Sequence, residues 1–474
     1  IWPDKILTSG STINQSIVWG ENWPGSLFSA LGVKGLANIE VTPEYAAALG
    51  SAFGASLSPG SEIIVSRSPH KVARVIKRAL VSGLMSVGIN VSDFRTVPLP
   101  LVRHIVRTSD AKGGIHIRIS PYKNDMSLIE FFDQHGININ TNTERKVESI
   151  FYRQDFRRAG LEKVGTLEYD PLAVERYTRD FLQYVDVEAI RSRNFKMVVD
   201  YSNGSLSTML PPILGKFGVE AVSVNSYMDP NTSPRASAID REGLKQLSKI
   251  VRSLGADFGV LVDGESEKIS LVDSAGEAIM GERLLALMVE MIGRTRKSSV
   301  IAAQVRSPYL IEQIVKKYKG SLIFTQSNSR DLMSKAYTKK ITFGGDTKGG
   351  FIFPEFQPSF DAMISISKIL EMTAKQNFDI AAMSKAVPEI FIEQEATECS
   401  WENKGKIMRV LVDKFKDKSV NLTDGIRVNL TKTSWVLMRP DPTEPLVHVI
   451  AEGKTAAEAK KLVKDHIKMI REIE

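Results

Sequence analysis

Residues Gly113 to Gly136 read GGIHIRISPYKNDMSLIEFFDQHG. Ile115, Ile117 and Ile119 alternate with other residues, which predicts a strand that breaks at Ser120-Pro121, and a second strand follows through Leu128 to Phe132. Ser120 therefore stands where a rigid strand opens into a polar turn, a place from which a hydroxyl can meet a ligand. A Ser-Pro turn with no chemistry fits the same residues. Working outward, a unit of buried strand, polar turn, amphipathic helix and Gly-containing strand starts near Ile63, again near Met197 and again near Ser299. Strands alternating with helices at this spacing predict right-handed crossovers and sheets covered on both faces. Three such units predict three similar α/β domains.

The 474 residues are enough for three or four domains, and 43% hydrophobic with 25% charged residues is an ordinary globular composition. The formal net charge of +7 is spread along helices such as Lys71 to Arg78, without a basic block interleaved with aromatics. It reads as attraction for phosphorylated substrates and not for nucleic acid. A single cysteine, Cys399, excludes an internal disulfide and a Cys-based zinc site and fits a cytoplasmic location. No run of apolar residues is long enough for a membrane span. The six histidines are scattered, none at metal-ligand spacing, and His116 reads as packed and not catalytic.

Three further stretches carry chemistry. In VLVDGESEKISLVD, from Val260, a strand ends in Asp263, Glu265 and Glu267 at alternate positions of a Gly-containing turn. That is either a solvated hairpin tip or a site for a hard divalent cation, with Mg²⁺ the natural guest. In FGGDTKGGFIFPEF, from Phe343, four glycines surround Asp346, Thr347 and Lys348, so the backbone can approach a ligand closely or simply turn between strands. In WVLMRPDPTEPLVHVIAE, from Trp435, Arg439 and Thr443 offer groups suited to phosphate.

Together these stretches resemble the α-D-phosphohexomutases, the phosphomannomutases and phosphoglucomutases, over roughly residues 26 to 474. The family's active-site loop, G-G-I-x-I-T-A-S-H-N-P followed by I-K-F-F-D, matches at Gly113, Gly114, Ile115, Ile117, Ser120, Ile129, Phe131, Phe132 and Asp133. Here T-A-S-H-N-P has become Arg118-Ile119-Ser120-Pro121-Tyr122-Lys123. The metal loop D-G-D-x-D-R maps onto Asp263, Glu265, Glu267 and Lys268, and G-E-x-S-G-H onto Gly345 to Gly350. R-P-S-G-T-E-P maps onto Arg439 to Pro445, with Asp441 for the serine and Pro442 for the glycine. Leu31 to Asn38 stands at F-G-T-x-G-I-R-G, with Ala37 at the arginine, and Thr42-Pro43 then opens a helix.

The resemblance implies three mixed-sheet α/β domains plus a smaller C-terminal α+β domain, at 26–160 (phosphoserine loop), 161–276 (metal loop), 277–385 (sugar loop) and 386–474 (phosphate loop). It implies a phosphohexomutase that interconverts hexose 1-phosphate and 6-phosphate through phospho-Ser120, with a hexose 1,6-bisphosphate as activator and intermediate. Mg²⁺ would sit on Asp263, Glu265 and Glu267. Arg67 and Lys123 would add positive charge, Asp346, Thr347 and Lys348 would orient the sugar, and Arg439 with Thr443 would hold the distal phosphate.

Residues 1–25 space their apolar positions by about six, as in the last coil of a hexapeptide β-helix or an extended arm. The arrangement is similar to fused mannose-1-phosphate guanylyltransferases, whose nucleotidyltransferase domain would precede residue 1. Opening on Ile1 and not on Met is expected of a piece of such a protein. On that view the alternative activity is a catalytically silent region that senses phosphosugars or acts as a scaffold in nucleotide-sugar biosynthesis.

Overall fold

The computed structural model of the chain describes residues 6–7, 22–23, 26–120, 123, 125–232, 235, 237–442 and 444–473. The expected arm at 1–25 lies outside them apart from two short strands, Ile6–Leu7 and Asn22–Trp23, which pair in parallel. From residue 26 onward the chain forms three mixed sheets and a fourth, antiparallel one.

The first three sheets share one topology. In the first, Glu62–Arg67 lies parallel to Asn90–Thr96 on one side and Gly113–Ile119 on the other, and Met126–Asp133 returns antiparallel. The second repeats this with Lys196–Asp200 between Glu220–Val224 and Phe258–Val262, and Ile269–Asp273 returning. The third has Val300–Gln304 between Ser321–Thr325 and Phe343–Gly345, with Phe351–Ile352 returning. Leu167–Tyr169 pairs with Asn90–Thr96, so the first sheet runs past the boundary expected at residue 160. Helix Pro43–Ala55 starts where the sequence places it, with the Thr42 hydroxyl accepting from the Tyr45 N–H at 3.2 Å.

Side chains alternate along a strand, so Gly113–Ile119 has two characters. Ile115 and Ile117 enter a core shared with helices Pro43–Ala55 and Lys71–Ser86. Gly114, His116, Arg118 and then Ser120 take the other face, the one covered by helix Leu99–Thr108. A Cβ at Gly114 would lie 2.8 Å from Val106 Cγ2 of that helix. The second core is continuous across three domains, joining Val102 and Val106 to Tyr177, Phe181 and Phe217 and on to Phe343 and Phe356.

The fourth sheet, ordered Phe391–Glu398, Leu446–Gly453, Trp435–Pro440, Ile426–Asn429, Val420–Asn421, buries its apolar face against helices Trp401–Lys414 and Ala456–Ile473. Arg427 fixes it to the third domain. Its guanidinium lies 4.9 Å from the Phe324 ring and 4.5 Å from the Trp435 ring, and donates to Val305 O at 2.7 Å and Glu312 at 3.0 Å. Beside it Glu452 accepts from the Tyr309 N–H at 2.7 Å and from Trp435 Nε1.

His104 is the corresponding joint of the first three domains. It stacks on Phe356 at 4.7 Å and shares a hydrogen bond of 3.1 Å with Asp180. Burial holds its pKa down to about 4, against the opposing pull of Asp180. A depressed folded pKa gives stability that is present above the unfolded value near 6.5 and is lost as pH falls through the folded value. The melting midpoint should therefore fall on acidification through this window, by the equivalent of about 3 kcal/mol. His104→Gln, which keeps a donor for Asp180, should flatten that part of a calorimetric pH series. An unflattened profile would assign the loss to other groups.

Candidate active site

In each of the three α/β domains the candidate loop is the turn between the third strand and its returning partner. These turns follow Ile119, Val262 and Gly345, equivalent positions in the repeated unit. Three motifs far apart in sequence therefore sit at one topological place, and the structure brings the second turn against the third and against the strand that leads into the first.

Ser120 is buried at 2% exposure, and its N–H donates to Met126 O at 2.7 Å. Lys123 is exposed in the same turn. Arg67 ends the adjacent strand, but its Nη1 folds back to Ser68 O at 2.8 Å and Pro69 O at 3.2 Å. Burial, with Arg74 and Arg78 nearby, lowers its pKa to about 10.

The acidic turn is closed by its own backbone. Asp263 Oδ1 accepts the N–H groups of Glu267 at 2.8 Å and Lys268 at 3.1 Å, and Ser266 takes φ +67°. Glu265 Oε2 meets His116 Nε2 at 2.9 Å, and His116 Nδ1 meets Ser66 Oγ at 2.7 Å. Glu267 Oε1 faces Arg103 Nε at 3.5 Å, and Arg118 Nε lies 2.5 Å from Glu130. Asp263, Glu265, Glu267, Glu130, His116, Arg118 and Arg103 are all buried. Burial opposes the charge on Arg118, but Glu130, Glu265, Glu267 and Asp263 more than offset it and raise its pKa. Burial likewise works against the Glu265 carboxylate, yet His116 and Arg118 outweigh it and hold Glu265 below its ordinary value. Asp263 is pushed up to about 7 by burial and by Glu267.

Mg²⁺ requires near-octahedral oxygen ligands at about 2.0 to 2.1 Å. The expected ligands do not fit that requirement. One Glu265 oxygen is taken by His116, Asp263 Oδ1 is taken by backbone, and two guanidiniums lie in the same acidic field. Among the described residues no group of three His, Cys, Asp or Glu side chains is placed to hold a metal. In the structure the carboxylates of Asp263, Glu265 and Glu267, the residues expected to hold Mg²⁺, face protein donors and cations.

Lys268 continues the chain of charge to the third domain through an ion pair of 2.7 Å with Asp346 Oδ2. Asp346 Oδ1 accepts the N–H groups of Lys348 at 2.9 Å and Gly350 at 2.8 Å, so both oxygens of this carboxylate have protein donors. Thr347 is buried in the same loop. Lys348 has its pKa lowered by burial and by Lys268, Arg306 and Arg439. Arg306, just after the Val300–Gln304 strand, is lowered by burial and by Arg439 against the pull of Glu282. Three cations that repel one another make a place attractive to an anion.

Arg439 lies 3.6 Å from Asp424. Asp441 is turned to its own loop, with Oδ1 accepting from the Glu444 N–H at 2.9 Å and Oδ2 meeting His448 Nε2 at 2.8 Å. Thr443 lies outside the described residues. His116, Arg118, Arg103 and Arg306 were not predicted as site residues. For the first two the signal was present, because His, Arg and Ser occupy every second position opposite the isoleucines of 115–119.

The comparisons agree with this construction. Profiles described as Phosphoglucomutase/phosphomannomutase, alpha/beta/alpha domains I, II and III match residues 25–158, 175–276 and 280–391. A phosphoglucomutase/phosphomannomutase of Thermococcus kodakarensis is 30% identical, covering 94% of this chain and 99% of the relative. A phosphoglucosamine/phosphogalactosamine mutase of Sulfurisphaera tokodaii is 27% identical over 94% of this chain and 99% of its own length. A crystal structure of a phosphoglucomutase/phosphomannomutase family protein from Burkholderia thailandensis superposes with a TM-score of 0.80 at 19% identity, covering 93% of this chain and 96% of that one. The fold and its loops define the class, the α-D-phosphohexomutases, which are intramolecular phosphotransferases. The chain belongs to the phosphoglucomutase/phosphomannomutase family.

The contact between the second and third turns rests on Gly349. It has φ +84°, its carbonyl accepts from the Ile269 N–H at 3.0 Å, and a Cβ there would lie 2.0 Å from Ile269 O. Gly349→Ala is expected to cost about 2 kcal/mol or more in urea unfolding. An unchanged midpoint would show that the loop can be re-formed without this contact.

Proposed function

We propose that this chain moves a phosphoryl group between the 1- and 6-positions of a hexose phosphate through Ser120. The observation that carries the reading is the equivalent placing of the three turns, with Ser120 at the end of the strand whose His116 meets the second turn and the Lys348, Arg306 and Arg439 cations beyond the third. Phospho-Ser120 gives its phosphoryl group to the free hydroxyl of the sugar, whose proton is released as the new P–O bond forms and the bond to Ser120 Oγ breaks. The resulting 1,6-bisphosphate turns over and returns its other phosphoryl group to Ser120 Oγ. Lys123 and Arg67 supply positive charge near the serine turn, and Thr347 and Lys348 face the sugar while Asp346 holds their loop in shape. Arg439, Arg306 and Thr443 hold the nonreacting phosphate. The named relatives act on gluco-, manno- and hexosamine phosphates, and this reading takes glucose or mannose phosphate as the substrate.

Intact-mass analysis after incubation with glucose 1,6-bisphosphate should show an adduct of about 80 Da on the wild type. The adduct should be absent from Ser120→Ala and lost when a hexose monophosphate is added. No adduct under any condition would favour the silent, phosphosugar-sensing reading. Arg306→Ala and Arg439→Ala should each weaken calorimetric binding of hexose 6-phosphate by about 1.5 to 3 kcal/mol, the range of a hydrogen bond to a charged group. A variant that binds as the wild type does would remove its arginine from the phosphate site.

A further inference from the structure

We propose that the seam between the Gly113–Ile119 strand and the Asp263–Lys268 turn carries its own cation, the Arg118 guanidinium, and that the acidic turn takes no divalent metal. The proposal concerns what neutralises the turn and stands whether or not Ser120 turns over.

Alternation puts His116, Arg118 and Ser120 on one face of the strand, at steps of about 6.6 Å. His116 reaches Glu265 at 2.9 Å, so the residue two places further along the same face lies beside the same turn. Arg118 is held from its other side by Glu130 at 2.5 Å, and Glu130 in turn lies 3.6 Å from Arg103, which faces Glu267 at 3.5 Å. Arg103 itself is positioned by the Phe132 ring at 4.1 Å and by hydrogen bonds to Gly136 O at 3.1 Å and Asn138 at 3.0 Å. The result is a run of alternating charge from Arg118 through Glu130 and Arg103 to Glu267, with Glu265 held beside it by His116.

The residue types suit this use. A guanidinium is always charged, is covalently tethered, and presents several donors to carboxylates lying in different directions. Mg²⁺ in the same place would share Glu265 with His116 and lie among two guanidiniums. Three departures from the resembling family act together here: arginine at 118 where a small threonine stands, and glutamate for aspartate at 265 and 267. The extra methylene carries each carboxylate out of the turn, one to His116 on the strand and one to Arg103 on the helix. An ion inside the turn would need them drawn back.

The test is a Mn²⁺ titration of the full chain followed by electron paramagnetic resonance of the free ion. Wild type should leave the free-ion signal undiminished up to about 1 mM, the weak end of protein sites for divalent ions. Its melting midpoint should be the same in EDTA as in about 10 mM MgCl₂, since an ion bound by the folded state alone would raise it. The triple variant Arg118→Thr, Glu265→Asp, Glu267→Asp, shown to be folded by circular dichroism, should bind one Mn²⁺ with a tenfold or greater gain in affinity. One Mn²⁺ bound by wild type and lost in Glu265→Gln would overturn the proposal, whether or not the triple variant folds. So would a folded triple variant that binds no better than wild type.

Discussion

Four carboxylates buried together must be matched by positive charge or donors, because water is not there to solvate them. Glu130, Asp263, Glu265 and Glu267 are in that position, and the arrangement of the first two domains follows from how they are matched. His116 and Arg118 come from a strand of the first domain, Arg103 from its covering helix, and three of the acids from the second domain. Removing one partner from such a set costs more than its pairwise attraction, because the remaining charge is left buried. The seam therefore fixes where the serine turn stands relative to the rest of the molecule.

The fold was legible because its signals are local. Ile115, Ile117 and Ile119 announce a strand, Thr42 and Pro43 announce a helix start, and the recurrence of strand, helix and strand announces three domains. The site was legible only in part, because partners across a domain boundary have no fixed spacing in the chain. Glu265 and His116 are 149 residues apart, and Lys268 and Asp346 are 78 apart. The acids at 265 and 267 suggest a metal when read alone, and their partners His116 and Arg103 appear only once the first domain's strand and helix are present. Asp441 is a similar case: its negative charge stands where phosphate was expected, yet the side chain caps its own loop and meets His448.

The repeated topology explains why the candidate loops are where they are. A strand that leaves a parallel sheet and returns antiparallel must turn at the sheet's end, and that turn needs no helix to cover it. Each α/β domain thus offers one uncovered turn from the same edge of its third strand. Packing the domains through a common apolar core sets the acidic turn against the glycine-rich loop on one side and against the strand before the serine on the other.

The fourth domain meets the others differently, and the anchoring of Arg427 has a mechanical consequence. Strand Trp435–Pro440 is held at its Trp435 end, where the indole packs on Arg427 and bonds Glu452, while Arg439 stands near its other end. Trp435 and Arg439 are separated by four residues, a lever of about 13 Å. Turned by roughly 10° about the pinned end, such a lever displaces its tip by about 2 Å, from the 13 Å arm set by the strand rise. That travel is comparable to the difference between a hydrogen bond and none. Rotation too small to disturb the pinned base is enough to engage or release whatever Arg439 grips.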